Sequence, residues 1–415
     1  MKIMSLTVKK IIRSVVFLIL PLLLTLSCSC NKDDDSGIIR TVLVYIAADN
    51  NLSNTANSNI YSMNSAIRSG MKNVNLLVFV DRINYNPALL HLHDAVIDTV
   101  KTFPEMDSTD PDVFRDVIEY VRKNYISDSY GLVMWSHGTG WLPASQLHFV
   151  APNMGYSPSR DGDGNHLSVL DIQRYPSSLQ TKAFGLENRK GNNPPYVCME
   201  IDEMANAIPD GVFDFIAFDA CYMGNVEIVY ALRKKARYFI SSTYEIVSYG
   251  FPYHIVTRDL LEGNLTNVCR EFYTYYNSMS GWEQMGGISL VDTDGLDSLA
   301  QCFKKIVVEY KDSVPELDIS EIQVFDRFRN HVFFDLGDVV EKLCPNLDYV
   351  AEFNQQLDKC VQYKASTPYM FLGDYEEIKI DKYCGLSIYI PIRRYESSGL
   401  NDDYRMTEWS KVTGY

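Results

Sequence analysis

Cys221 closes one apolar run, Phe213-Asp214-Phe215-Ile216-Ala217-Phe218-Asp219-Ala220, and His137 closes another, Tyr130-Gly131-Leu132-Val133-Met134-Trp135-Ser136. Nucleophilic attack on a carbonyl needs a thiolate, a base that takes and returns its proton, and donors aimed at the oxyanion that forms. Cysteine and histidine supply the first two. The 84 residues separating them leave room for two strands to lie side by side with both residues at one sheet edge. Gly138 has no side chain, so its amide can approach a substrate closely, and the amide of Cys221 is the natural second oxyanion donor. A helix expected from Asn225 to Lys235 would bring amides and a helix N-terminus near the thiol and lower its pKa. On residue types alone, a purely structural role for both residues stays open.

Five buried strands must position this pair. Thr41-Val42-Leu43-Val44-Tyr45-Ile46-Ala47 is an uninterrupted β-prone run of the kind buried on both faces. The loop Asp49-Asn50-Asn51 ends it, a helical alternation runs from Leu52 to Ser69, and Val74 to Val80 forms a second strand, giving a βαβ unit. Another helix is expected from Pro111 to Asn124, with Val113, Phe114, Val117, Ile118 and Val121 on one stripe and Asp110 near its start. The strand bearing His137 follows. Thr139 to Pro195 is rich in Gly, Pro, Asn and Ser without periodicity and reads as a linker or processing loop. The Cys221 strand comes next, then Arg237 to Ser242 as a fifth. This alternation predicts an α/β fold with a mostly parallel sheet flanked by helices, in which ligands bind outside the carboxyl ends of the strands. Beyond about Pro252 the pattern changes to helices over Leu299 to Tyr310 and Leu347 to Val361, then a strand from Cys384 to Pro391. Residues 39–255 therefore read as the catalytic domain, and 256–415 as an α+β extension of it or a packed second module.

The motifs around the pair resemble those of a known family. Ser136-His137-Gly138-Thr139-Gly140-Trp141 looks like the histidine motif of the clostripain family of cysteine peptidases, and Phe218-Asp219-Ala220-Cys221-Tyr222-Met223-Gly224-Asn225-Val226-Glu227 looks like its cysteine motif. Tyr45 to Leu52 is similar to the family's opening strand and loop, so the resemblance spans about Thr41 to Tyr253, with a weaker echo at Gly385 to Pro391. It implies a caspase-like fold, peptide-bond hydrolysis by a Cys-His dyad, and preference for Arg or Lys before the cleaved bond. Asp219 offers a physical route to that preference. It lies two residues before Cys221, on the same strand face, where a carboxylate can meet a guanidinium in a partly desolvated pocket. Bracing of the active-site loop by Asp219 is the alternative. The stretch Thr243-Tyr244-Glu245-Ile246-Val247-Ser248-Tyr249-Gly250-Phe251 departs from the family prototype in being less acidic.

The N-terminus reads as targeting sequence. Lys2, Lys9, Lys10 and Arg13 precede an apolar run from Val15 to Leu26 that is short for a membrane span, and Ser27-Cys28-Ser29-Cys30-Asn31-Lys32-Asp33-Asp34-Asp35 then closes it. This resembles a bacterial lipoprotein signal of the Bacteroidetes surface-export type. On that reading 1–29 is removed, Cys30 (or Cys28) carries the lipid, and 30–38 is a tether. A plain signal peptide or an uncleaved anchor is the alternative. The expected location is the outer membrane or cell surface, with the membrane touched through the lipid alone.

Four of the 38 basic residues and none of the 53 acidic ones lie in the signal segment, leaving 34 against 53 and a formal charge of −19. Such a surface argues against nucleic-acid partners; a peptide or protein substrate is the partner expected. The seven further cysteines are scattered with no CxxC pair, so no zinc site and no disulfide scaffold is indicated. His91 and His93 share a strand face without a cysteine or carboxylate pair. No cofactor is expected. Asp161-Gly162-Asp163-Gly164-Asn165 begins like a calcium loop, but His166 stands where glycine is needed and no Glu follows at the twelfth position, so a solvated turn is preferred to a calcium site. No Gly-x-Ser-x-Gly elbow supports a serine hydrolase. A surface protein that keeps the fold but only binds peptide remains the rival to an active endopeptidase.

Overall fold

The structure, a computed structural model, describes residues 39–67, 71–143, 146, 184–188, 196–373 and 377–415. The lipidation candidates Cys28 and Cys30, the signal and tether segments, and the calcium-like loop Asp161 to Asn165 lie outside the described residues.

Continuous apolar runs become the centre of a nine-stranded sheet. β1 (Arg40–Ala48) and β2 (Val74–Arg82) pair in parallel around the helix Ser53–Ala66, and both are buried over most of their length. Two antiparallel strands, β3 (Tyr85–His93) and β4 (Val96–Thr102), extend the sheet beyond β2. The helix Pro111–Asn124 follows, capped by the Asp110 side chain on the Asp112 amide with Pro111 in its first turn, and it buries Phe114, Val117, Ile118 and Val121. β5 (Ser129–Trp135) returns to pair in parallel with β1.

A small hairpin, β6 (Phe184–Asn188) with β7 (Tyr196–Met199), precedes the second half of the sheet. β8 (Phe213–Asp219) then pairs in parallel with β5, and β9 (Ala236–Ser241) with β8. The parallel centre thus runs β9-β8-β5-β1-β2. β10 (Gly287–Asp292) joins β9 antiparallel, and β12 (Val361–Ser366) joins β10, after the two-residue strand β11 (Phe334–Asp335). Two strands from the region beyond residue 256 therefore belong to the same sheet as the His137 and Cys221 strands, and the described residues lie in one compact unit. The mostly parallel, helix-flanked sheet agrees with the α/β architecture expected.

Some elements differ from expectation. The helix after Cys221 covers only Val226–Ala231, where Asn225 caps the Ile228 amide at 3.0 Å. In the run Cys384 to Pro391 only Ser387–Ile388 form a strand, which pairs with β11, while Ser387 also bridges to Asn225. The run also supports the segment after Cys221: the Ser387 amide donates to the Gly224 carbonyl at 2.9 Å and the Tyr389 amide to Glu227 Oε1 at 3.0 Å.

Candidate active site

Register brings the two chemical residues together. Trp135 of β5 pairs with Asp219 of β8, and His137 and Cys221 each lie two residues past that pair. Adjacent strands stand about 4.8 Å apart, so equal offsets carry both residues out of neighbouring carboxyl ends together. The Ser136 amide donates to the Asp219 carbonyl at 3.4 Å and extends the pairing one step. Both residues line one small open cleft, together with Leu52, Trp135, Ser136, Asp219, Ala220, Glu245, Ile246, Val247, Ser248 and Gly250.

Each side of the cleft is built from its own loop. After Asp219 the chain reverses at Tyr222, whose φ of 60° is the left-handed region that a bulky residue avoids at a cost of about 1–2 kcal/mol. Three contacts hold it: its amide donates to the Tyr244 carbonyl at 3.2 Å, its hydroxyl to Glu245 Oε1 at 2.8 Å, and its ring stacks on Phe333 at 4.8 Å. On the histidine side, Ser136 Oγ donates to the Ala47 carbonyl at 2.6 Å, and the His137 carbonyl accepts the Gly185 amide at 3.0 Å. His137 Nε2 lies 2.8 Å from the side-chain oxygen of Asn51.

The Cys221 thiol is bracketed by one residue of the facing loop: Sγ donates to the Ile246 carbonyl at 3.7 Å and accepts the Ile246 amide at 3.4 Å. Burial pushes the thiol pKa up, the Glu245 carboxylate adds to the rise, and the Ile246 amide opposes it. The lowering expected from a following helix is not found, because the turn Tyr222 to Gly224 separates Cys221 from the short helix at Val226. Burial also depresses His137 to about 4. Both shifts favour the uncharged forms, a thiol on one strand end and a neutral imidazole on the other.

Asp219 is 5% exposed, and its Oδ2 accepts both the Phe251 amide and the Tyr253 hydroxyl at 2.9 Å. It lines the cleft while tying the strand that leads to Cys221 to the loop that ends at Tyr253. Desolvation raises its pKa to about 6 against the pull of those two hydrogen bonds. Gly138 sits against the carbonyl of Cys221, and its backbone bridges to Phe184 of β6. Among the described residues no group of three metal-ligating side chains is assembled, the edge histidines His91 and His93 included. Sequence reasoning missed Ile246, Tyr253 and the Asn51 contact. Only the last had a signal, since the loop after β1 leaves the sheet beside the end of β5.

Comparison with known proteins identifies the family. The clostripain family model matches residues 44–175 and 171–412. Clostripain of Hathewaya histolytica is 25% identical over 267 residues; the match takes in 57% of this chain, which spans 44% of that relative's length. An inactive zymogen C11 protease from Parabacteroides distasonis superposes with a TM-score of 0.73 at 32% identity, covering 90% of this chain and 97% of that one. A secreted C11 cysteine protease from Bacteroides thetaiotaomicron in complex with an irreversible peptide inhibitor gives 0.72 at 29%, covering 91% and 99%. With matched segments that take in both strand ends and the cleft between them, this chain belongs to the clostripain family.

Proposed function

We propose that this protein is a cysteine endopeptidase in which His137 and Cys221 hydrolyse peptide bonds. The observation that carries the reading is their equal offset beyond the paired Trp135 and Asp219, on one cleft. His137 takes the proton from Cys221 Sγ as the sulfur bonds to the scissile carbonyl carbon, and the carbonyl electrons move onto oxygen. The amides of Gly138 and Cys221 meet that oxyanion. Collapse of the tetrahedral adduct expels the amine, which receives the proton from His137, and leaves a thioester on Cys221. Water then attacks with His137 as base, releasing the acid and restoring the thiol.

A basic residue before the cleaved bond fits the acidic wall of the cleft. Asp219 is the first candidate to read it, since its carboxylate lines the cleft; Glu245 is the second. The family resemblance favours Arg or Lys, and the acidic lining supports it. Export with a lipid on Cys30, or on Cys28, completes the proposal; a relative from Bacteroides thetaiotaomicron is described as secreted. Fatty-acid labelling in cells should mark the wild type and fail when both cysteines are replaced. Labelling of the double variant refutes the anchor.

The raised thiol pKa and its bond to Ile246 favour a second reading, a peptide-binding protein without turnover. A peptide mixture assayed with wild type, Cys221→Ala, His137→Ala and an alkylating reagent decides. The peptidase reading expects cleavage that alkylation and either substitution abolish. Undiminished cleavage by Cys221→Ala, or no cleavage by any form, overturns it.

A further inference from the structure

Asn51 sits at an exposed turn between β1 and the helix Ser53–Ala66, with its side-chain oxygen 2.8 Å from His137 Nε2. The turn is fixed on both sides of it. Asn50 is buried, donates from Nδ2 to the Ala47 carbonyl at 3.2 Å and accepts the Leu52 amide at 2.8 Å. The same Ala47 carbonyl accepts Ser136 Oγ at 2.6 Å. One carbonyl at the end of β1 thus anchors both the segment carrying Asn51 and the segment carrying His137, so their separation is set by the sheet rather than by a free loop.

An amide oxygen has no proton to give, so the proton in the Asn51–His137 bond belongs to Nε2. A neutral imidazole carries a single ring proton, and Nδ1 is then its acceptor. We propose that Asn51 is a positioning residue that holds His137 as the Nε2–H tautomer and thereby makes Nδ1 the base for the Cys221 thiol. This rests on the Cys221–His137 reading above.

The chemistry of the site makes such a partner useful. Burial lowers the His137 pKa to about 4 and so favours the neutral ring, and what must be chosen is which nitrogen is bare. Without a fixed acceptor the proton distributes between the two nitrogens and the ring turns about its χ angles, leaving a fraction of molecules with an N–H where the base should be. When Nδ1 takes the thiol proton, the Nε2–H bond to Asn51 becomes charge-assisted and strengthens. Asn51 therefore favours the imidazolium more than the resting ring. A neutral amide does so gently, where a carboxylate would raise the resting pKa of the histidine as well.

The test compares Asn51→Ala and Asn51→Asp with wild type, Cys221→Ala and His137→Ala. It uses kcat/KM against pH on a cleaved peptide, the rate of Cys221 alkylation by iodoacetamide, and NMR of histidine-labelled protein. In Asn51→Ala, kcat/KM should fall about 10- to 100-fold, short of the ~10²–10⁴ that a whole general base supplies, with KM little changed and alkylation slowed. Asn51→Asp keeps an acceptor oxygen, so it should recover most of the rate and move the acid limb of the profile to higher pH. NMR should show His137, assigned by its loss in His137→Ala, as the Nε2–H tautomer in wild type and as a mixture in Asn51→Ala. A wild-type Nδ1–H tautomer overturns the proposal. So does an Asn51→Ala variant within twofold of wild type with an unmoved profile, or equal defects in the Ala and Asp variants, which would make position 51 a turn former only. Full hydrolysis by Cys221→Ala is a separate result. It removes the peptidase reading, while the tautomer measurement still decides what Asn51 does.

Discussion

Gly138 and Cys221 touch through their backbones: a Cβ added to Gly138 would stand 2.5 Å from the Cys221 carbonyl oxygen and 3.1 Å from both the Ala220 Cβ and the Met223 sulfur. A carbonyl at that distance must move, and it belongs to the residue proposed as the nucleophile. We expect Gly138→Ala to separate the two loops and to lower kcat/KM about 100-fold, the loss typical of a shift near 1 Å in a reacting group. KM should change far less. Steady-state kinetics on one peptide checks this, and undiminished kcat/KM would show that the loops have slack.

Asp219 combines two duties whose separation is measurable. Its carboxyl is held up at about 6, above the ordinary 3.8, so the folded state binds the proton more tightly than the unfolded chain. The corresponding stability is complete below pH 3.8 and is lost as pH rises through about 6. Asp219→Asn cannot ionise, so its melting temperature should gain on wild type between pH 4 and pH 7. If the carboxylate also reads a basic side chain, the rate ratio of basic to neutral substrates should fall in the variant. In wild type that ratio should weaken below about pH 6. Breaking a buried ion pair costs about 3–5 kcal/mol, and an accessible cleft should show less. Equal slowing on every substrate would leave Asp219 as a brace for the Phe251–Tyr253 loop alone.

The same residues show what a sequence can disclose. β1, β2, β5, β8 and β9 are legible because strands buried on both faces leave unbroken β-prone runs, and a parallel sheet then puts the ends of β5 and β8 together. β4 is not, since most of Val96–Thr102 is exposed and polar and carries neither an apolar run nor a clear alternation. The thiol's surroundings are hidden for another reason. Ile246 reaches Cys221 from 25 residues away through its backbone, which has no residue-type signature. The reversal at Tyr222 is equally silent, because a tyrosine at positive φ is the reverse of what its side chain advertises. Sequence proximity to a helix therefore suggested a lowered thiol pKa where burial in fact raises it.

Glu227, in the first turn of the cysteine motif's helix, is buried and held up at about 8 by desolvation, with its Oε1 taking the Tyr389 amide. Relative to an ordinary 4.5, its contribution to stability is present below that value and lost as pH rises through about 8. Gln keeps an oxygen for Tyr389 and cannot ionise. We expect Glu227→Gln to melt at least about 1 °C above wild type at pH 9, the shift that a stabilisation near 1 kcal/mol produces in a unit of this size, and to show no gain at pH 4. Calorimetry at the two pH values checks this, and a gain that does not depend on pH would trace to packing instead.

Glu245 lines the cleft at 6% exposure, takes the Tyr222 hydroxyl at 2.8 Å and faces Arg327 Nε at 3.5 Å. After burial, its charge is the next cause of the raised Cys221 pKa, with Arg327 acting in the opposite sense. Glu245→Gln keeps an acceptor for Tyr222 but removes the charge, so the thiol pKa should fall. A lower pKa increases the thiolate fraction tenfold per unit but makes each thiolate less nucleophilic, with a Brønsted slope near 0.4–0.5, so alkylation should quicken about threefold per unit. Cleavage of neutral peptides should gain by a similar factor. On Arg and Lys peptides the gain should shrink or reverse if Glu245 helps to read the basic side chain, because the variant then loses an attraction that neutral substrates never had. Unchanged alkylation would mean that Arg327 already cancels the field of Glu245 at the sulfur. An equal gain on neutral and basic peptides would leave the reading of the substrate to Asp219.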